Sequence, residues 1–185
     1  YDSYPASYRS EDLILGELDQ TEVEICDFSA FNMELREKTV KSLGIKNFQG
    51  ILFKATFPKE LTHWVYVCDK KEAGLRKEGE IALMDNPSFN RYFDVFTEDQ
   101  ILARYALSPK LMERFCGLKE KFNSPISMVL RDREVIIAVN LGKNSFEPSF
   151  EKSLLEDNTI RDYISSIKGF TDMVKELGLN NHIWK

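Results

Sequence analysis

The sequence contains few of the residues that build metal, redox and disulfide sites. Of 185 residues, three are cysteine and two are histidine. Cys26, Cys68 and Cys116 are widely spaced, and an odd, scattered set of cysteines is not typical of a disulfide framework. His63 and His182 are far apart, and no Cys-x-x-Cys pair is present, whereas a zinc site needs three or four convergent ligands. We therefore expect no disulfide and no bound metal.

The motifs of common cofactor and hydrolase sites are also missing. The sequence has neither the glycine-rich dinucleotide fingerprint nor a Gly-x-Ser-x-Gly nucleophile turn. Gly142-Lys143 superficially resembles the end of a phosphate-binding loop. However, Ile137 stands where the first glycine is required, and Asn144 stands where a serine or threonine is required. We predict no cofactor and assign no catalytic or cofactor-binding residue.

Charge and hydropathy argue against two further classes of partner. The formal net charge is -5, whereas a protein that binds nucleic acid through its phosphates needs a basic face. No apolar run approaches the roughly 20 residues of a membrane-spanning helix. Because the sequence begins at Tyr1 and not at a methionine, we expect a fragment of a longer protein, with any membrane anchor outside it.

The sequence does contain the patterns of a mixed α+β domain. Its predicted strands follow one another in runs and hairpins, which favours a mainly antiparallel sheet of five or more strands with helices packed against it. Residues 1–12 are predicted to be a loose lead-in, 29–47 a short helix or excursion, and 13–185 a single domain. Alternation of apolar and polar residues predicts strands at 13–18, 21–28, 48–57, 62–68, 81–84, 93–96, 126–131 and 134–141.

Helix-start signals mark the predicted helices. Asn86-Pro87 and Ser108-Pro109 combine a capping side chain with a proline at the first helical position. Thr97 begins a capping-box pattern that ends at Gln100, and Thr159 begins the final helix. The helices that start near 109 and 159 carry apolar stripes that should face the core. These stripes are Leu111, Phe115, Leu118 and Phe122, and Ile160, Tyr163, Ile164, Ile167, Phe170, Val174 and Leu177.

Two adjacent acids give the one candidate for an active site. Glu98 and Asp99 could act as a general acid and base, with Arg104 as their charge partner. The same acids are also explained as first-turn residues of a capped helix, where the helix dipole favours negative charge. His63, beside Trp64, is expected to be a hydrogen-bonded histidine within the sheet. An active site would require such groups to converge in a concave pocket with perturbed pKa values.

A block of closely spaced motifs between residues 85 and 118 carries a family resemblance, and weaker matches flank it. The sequence there resembles the signature block of a bacterial family catalogued as a domain of unknown function, serial three-one-three-seven. The central motifs are Asp85-Asn86-Pro87-Ser88-Phe89, Phe93-Asp94-Val95-Phe96, Asp99-Gln100, Ala103-Arg104-Tyr105, Leu107-Ser108-Pro109 and Leu111-Met112. The flanking matches are Gly16 with Thr21, Phe48-Gln49-Gly50 leading to Phe57, Phe146-Glu147-Pro148 and Ile183-Trp184.

This resemblance implies a context and no activity, because the family has none established. Its members usually carry membrane-spanning segments before the domain, which implies a domain on the cytoplasmic face of a bacterial inner membrane. We therefore expect a non-catalytic binding or interaction domain. Its partner would be an unknown protein or small ligand and not nucleic acid, and it would reach the membrane only through segments outside this chain.

Two alternatives stay open at this point. The first is an unrecognised enzyme that uses an acidic site near Glu98, Asp99 and Arg104. The second is a structural subunit of a membrane assembly, which a large exposed apolar patch would favour.

Overall fold

A computed structural model describes residues 7–18, 21–32, 45–57, 60–72, 79–143 and 159–179. These residues form an α+β fold in which a sheet is combined with helices. The strands are β1 (Ser7–Leu18), β2 (Thr21–Asn32), β3 (Ile45–Thr56), β4 (Val65–Asp69), β5 (Glu80–Ile81), β6 (Phe93–Thr97), β7 (Ile126–Arg131) and β8 (Glu134–Asn140). The helices are α1 (Pro87–Tyr92), α2 (Gln100–Ala106), α3 (Pro109–Phe122) and α4 (Thr159–Leu179), with a 3-10 turn at Lys70–Glu72.

The described strands form one eight-stranded sheet in the order β1-β2-β3-β8-β7-β4-β6-β5. Every neighbouring pair is antiparallel, which confirms the predicted architecture. The predicted hairpin around Asp132-Arg133 is present, with Leu130 opposite Val135 and Ile126 opposite Val139. β1 and β5 lie at the two edges of the sheet.

The hydrophobic core lies against one face of this sheet. Ile51, Phe53 and Ala55 alternate along β3 with residues on the other face and are buried. The inward residues of β7 and β8 follow the same period of two, as the sequence predicts. All four helices add side chains to this cluster, among them Phe89, Ala103, Phe115 and Phe170. Aromatic rings join these helices to the sheet, since Phe53 stacks on Phe170 with ring centroids 5.0 Å apart.

Several strand limits differ from those predicted. β1 begins at Ser7, so residues 7–12 belong to the sheet and not to a lead-in. The reason is a shift in strand register between Glu11 and Ile14, with Asp12 at a φ of 52°, which interrupts the alternation that the sequence pattern relies on. Residues 29–32 and 45–47 extend β2 and β3 and are not helical, because the two strands pair with each other. Residues 33–44 lie outside the described part.

The apolar stripe predicted for α4 is only partly buried. Phe170 and Val174 are buried, and Met173 joins them, but Ile164 is 60% exposed. α3 and α4 run antiparallel, with Lys110 near Glu176 and Lys121 near Ser165. Lys121 is the residue before the last of α3 and contacts Ser165, so Ile164 lies beside the C-terminal end of α3 and not beside its middle. The side chains of Ile160, Tyr163 and Leu177 lie outside the described part.

Candidate binding groove

A groove of about 580 Å³ lies between the start of α1 and the exposed side of α3. One wall is the segment 85–88, and the other is a line of α3 side chains. Its floor is mainly apolar, and its rim carries carboxylates. The lining residues are Asp85, Asn86, Pro87, Ser88, Pro109, Met112, Glu113, Cys116, Gly117 and Glu120.

The first wall is fixed by the way α1 begins. The Asn86 side chain accepts a hydrogen bond from the Phe89 backbone N–H at 3.1 Å, and Pro87 occupies the first turn, as the sequence predicts. The Asn90 side-chain amide donates a hydrogen bond to the Met84 carbonyl at 2.6 Å, which links α1 to the residue that precedes the segment 85–88. Phe89 is fully buried, and its ring lies 6.4 Å from that of Phe115 on α3. The wall is therefore attached to the helix it faces.

The second wall is a side of α3 on which two core residues, Met112 and Cys116, reach the groove. Ser108 caps this helix by accepting a hydrogen bond from the Leu111 N–H at 3.1 Å, which confirms the predicted cap. Leu111, Phe115 and Leu118 face the core. The groove side of the same helix carries Met112, Glu113, Cys116, Gly117 and Glu120.

The groove is acidic. Asp85, Glu113 and Glu120 line it, and none of the lining residues is basic. Burial raises the pKa of the Cys116 thiol, and the charges of Glu120 and Glu113 raise it further. The Tyr92 hydroxyl donates a hydrogen bond to Glu120 Oε1 at 3.4 Å. A ligand in this groove therefore meets a negative potential above an apolar floor.

A buried ion pair holds the end of α3 on the sheet. Lys119, which does not line the groove, contacts Asp69 at the end of β4. The Lys119 ammonium also donates to the Ser124 carbonyl at 2.9 Å, and the Ile126 N–H donates to Asp69 at 3.1 Å. This arrangement fixes α3 relative to β4 and β7, and so it positions the second wall.

The residues of the predicted acidic site do not line this groove. Asp99 is the N-cap of α2, where one of its carboxylate oxygens accepts hydrogen bonds from Ile101 N at 2.9 Å and Leu102 N at 3.0 Å. These bonds lower the pKa of Asp99. The Glu98 side chain is 57% exposed, and Arg104 is exposed in the last turn of α2. Among the described residues, no ion pair joins Arg104 to either acid.

Two further predictions in this region were wrong. Thr97 does not cap α2: it is fully buried, and its hydroxyl donates to the Trp64 carbonyl at 2.9 Å and accepts from Asp99 N at 3.0 Å. The cap therefore falls on Asp99, two residues later. His63 is not a sheet histidine, because β4 begins at Val65, and its Nδ1 lies 3.5 Å from Glu98 at the surface. His182 lies outside the described residues.

The α3 side of the groove was missed in the sequence. Glu113, Gly117 and Glu120 are four and three residues apart, which puts them on one helix face. That spacing is the signal in the sequence, and it is weaker than the apolar stripe on the opposite side of the same helix. Cys116 is buried, and it also lines the groove.

Among the residues that the structure describes, no three His, Cys, Asp or Glu side chains come together as ligands for a metal ion. No helix there has the length and apolar character needed to cross a membrane. The three cysteines, all of them described, are buried, and none of them forms a disulfide with another described residue.

Comparison with known proteins gives a match to a family and an alignment with a solved structure. The crystal structure of the mycobacterial trehalose monomycolate transport factor A, TtfA, aligns with a TM-score of 0.48 and 12% identity, over 89% of this chain and 72% of that one. No curated protein matches the sequence. The model of the family described as "Protein of unknown function (DUF3137)" matches residues 46–179, most of the chain. The chain therefore belongs to the DUF3137 family, as the motifs between residues 85 and 118 indicate.

Proposed function

We propose that this chain is a non-catalytic binding domain that receives part of a partner protein in the groove between α1 and α3. One observation carries the proposal. Two segments of the block that bears the family resemblance contribute to opposite walls of the groove, the residues 85–88 to the first wall and Pro109 and Met112 to the second. We interpret the presence of these family motifs on both walls as a sign that the groove recognises a partner, in addition to the role of the motifs in folding.

The form of the groove supports binding. Its volume of about 580 Å³ lies within the range of known ligand sites, roughly 300 to 1,000 Å³. Both walls are held in place, one by the Asn86 cap and the Phe89 ring, the other by the Ser108 cap and Lys119. A preformed site loses less free energy to ordering when a partner binds.

The cellular setting is also part of the proposal and rests on the family resemblance. In this view the domain belongs to a bacterial protein and works on the cytoplasmic face of the inner membrane. The chain would reach the membrane only through segments outside it, and the groove would recruit a protein to that surface.

Site-specific photocrosslinking in the source bacterium tests the proposal. The full-length protein would carry benzoylphenylalanine at Ser88, an exposed residue of the groove, or at the exposed Arg131 as a matched control. Arg131 is the last residue of β7 and does not line the groove. We expect a discrete protein adduct from Ser88 that is absent from Arg131. Equal labelling from both positions, or no adduct from Ser88, would show that the groove does not receive a protein in the cell.

One observation favours a second candidate, a structural subunit that assembles through a sheet edge. Tyr8, Leu13 and Leu15 are all exposed on the edge strand β1. Unpaired strand edges with apolar side chains are templates for pairing with another chain. The test is the mass of the chain in solution by light scattering. A stable oligomer that Leu15→Lys converts to monomer would favour this candidate, and a monomeric parent would exclude assembly of the chain with itself.

A further inference from the structure

Gly117 makes a notch in the middle of α3 that helix packing does not require. Glycine inside a helix costs about 1 kcal/mol relative to alanine. A Cβ atom added at Gly117 would have no neighbour within 4 Å, so the residue is not needed for a close approach between elements. The free space above it belongs to the groove. The notch lets an incoming side chain lie against the helix backbone.

None of the basic residues of α3 lines the groove, and each has a partner that does not line it either. Lys110 and Arg114 pair with Glu176 and Asp172 of α4. Lys119 pairs with Asp69, and Lys121 donates to Ser165 at 2.8 Å.

The acids on the groove side of α3 have no such compensation. Glu113 and Glu120 flank Gly117, and Asp85 stands on the facing wall. Within the described part of the chain, neither Glu113 nor Asp85 forms an ion pair. Three carboxylates thus line a groove in which no lining residue supplies a positive charge.

The floor between these acids suits an aliphatic chain. Met112 and Cys116 line it, and Cys116 is only 9% exposed. The effect of Glu113 and Glu120 on the pKa of Cys116 indicates that their charges act at the floor of the groove. Lysine and arginine have the matching form, with an apolar stem and a cationic head.

We infer that the groove recognises a lysine or arginine side chain of its protein partner, with the stem over Gly117 and the head between Glu113 and Glu120. This inference rests on the proposed function and specifies the chemistry of the partner. The aliphatic stem would cover Met112 and Cys116. The cationic head would supply the positive charge that the residues lining the groove lack.

Titration with matched peptides, followed by NMR of the nitrogen-15-labelled chain, tests the inference. The probes are acetyl-Ala-Leu-Arg-Leu-Ala-amide and the same peptide with citrulline, which keeps the shape of arginine and lacks its charge. A second pair contains lysine or acetyl-lysine. We expect the cationic peptides to shift the amide signals of Glu113, Gly117 and Glu120, and to bind about tenfold more tightly than their neutral forms.

Two variants separate recognition from folding. Glu113→Gln combined with Glu120→Gln should make the arginine and citrulline peptides bind equally. Gly117→Leu should fill the notch and abolish binding of both, without lowering the urea midpoint, since leucine is a better helix former than glycine. Lys110→Gln changes a charge on the α4 side of the same helix and should leave the tenfold preference intact.

Three results would overturn the inference: no shift with the cationic peptides, shifts outside the groove, or equal affinity for the neutral peptides. Tighter binding of spermidine than of either cationic peptide would also overturn it, by assigning the groove to a small-molecule cation. If Ser88 crosslinks a protein but the peptides show no charge preference, the binding function stands and the cationic specificity fails. If the peptides bind as expected and Ser88 gives no adduct, the specificity stands and the cellular role fails.

Discussion

Lys119 and Asp69 form an ion pair that is almost completely removed from solvent, with side chains 5% and 1% exposed. Both charges are further satisfied by backbone groups. Lys119 donates to the Ser124 carbonyl, while Asp69 accepts from the N–H groups of Lys71 and Ile126. The pair thus joins the end of α3 to β4 and to the start of β7. It explains why the groove wall formed by α3 can be rigid although the groove itself is open.

Lys119→Met should be strongly destabilising. The methionine removes the cation and leaves the Asp69 carboxylate buried without its charge partner, which typically costs about 3–5 kcal/mol. Urea unfolding measures the loss, and Lys110→Met is the matched control on the same helix. The Lys110 side chain is 59% exposed, and exposed pairs contribute about 0–1 kcal/mol. Similar losses in the two variants would contradict the structural role assigned to the buried pair.

Gly50→Ala should also destabilise the protein, for a backbone reason. A Cβ at this position would lie 2.1 Å from the Val139 carbonyl oxygen and 2.8 Å from Leu141 N, so β3 or β8 would have to move. Overpacking of this kind typically costs about 1–3 kcal/mol. The control is Gly117→Ala, which should stabilise the protein by about 1 kcal/mol because its Cβ meets open space. In urea unfolding, we expect the free energy of unfolding to fall in Gly50→Ala and to rise in Gly117→Ala. A loss of stability in both variants would mean that the groove side of α3 is packed.

The helix starts give a third test, which separates a cap from a buried hydrogen bond. Ser108→Ala removes the cap of α3 and should cost about 1 kcal/mol. Thr97→Ala should cost about 1–3 kcal/mol, since it leaves a buried carbonyl of Trp64 and the N–H of Asp99 without their hydroxyl partner. Thr97→Val, which keeps the shape, would lose a similar amount. If the Thr97 variants unfold at the same urea concentration as the parent, the hydrogen bonds of the Thr97 hydroxyl do not contribute to stability.

The sequence predicted the sheet and the helix starts because both depend on local patterns. Alternation in β3, β7 and β8 and the pairs Asn86-Pro87 and Ser108-Pro109 are visible in single segments. The bulge at Asp12 and the close approach at Gly50 were not visible in this way. Gly50 lies in regular register opposite Phe28 and Asn140, and its lack of a side chain leaves room for the backbone of Val139 and Leu141.

The binding groove was harder to predict than the fold, because no single motif contains it. It forms where two segments of the chain meet, 85–88 and 109–120. The acids Glu98 and Asp99 were more conspicuous as neighbours in the sequence. Neighbouring residues at the start of a helix are arranged by capping, however, and the structure uses Asp99 for that purpose. Gly117 became informative only when the space around it was known.

The cap formed by Asp99 predicts a dependence of stability on pH. Its hydrogen bonds to Leu102 N and Ile101 N, and a smaller effect of His63, lower the pKa of Asp99 in the folded protein below that of the unfolded chain. Ionised Asp99 therefore stabilises the fold above the unfolded pKa, near 3.8, and this contribution is lost as the pH falls through the lower folded pKa. The measurement is the urea midpoint between pH 7 and pH 2.5.

Asp99→Asn isolates this effect, because asparagine also caps helices well but does not titrate. We expect the parent to be at least as stable as the variant at pH 7. The difference should shrink as the pH falls through the acid range, since protonated Asp99 loses the advantage of its charge. Glu98→Gln is the control, because Glu98 is exposed and makes no cap, and its difference from the parent should change less with pH. If the stability advantage of the parent over Asp99→Asn grows as the pH falls, the fold does not stabilise the ionised carboxylate. The cap geometry would then be wrong.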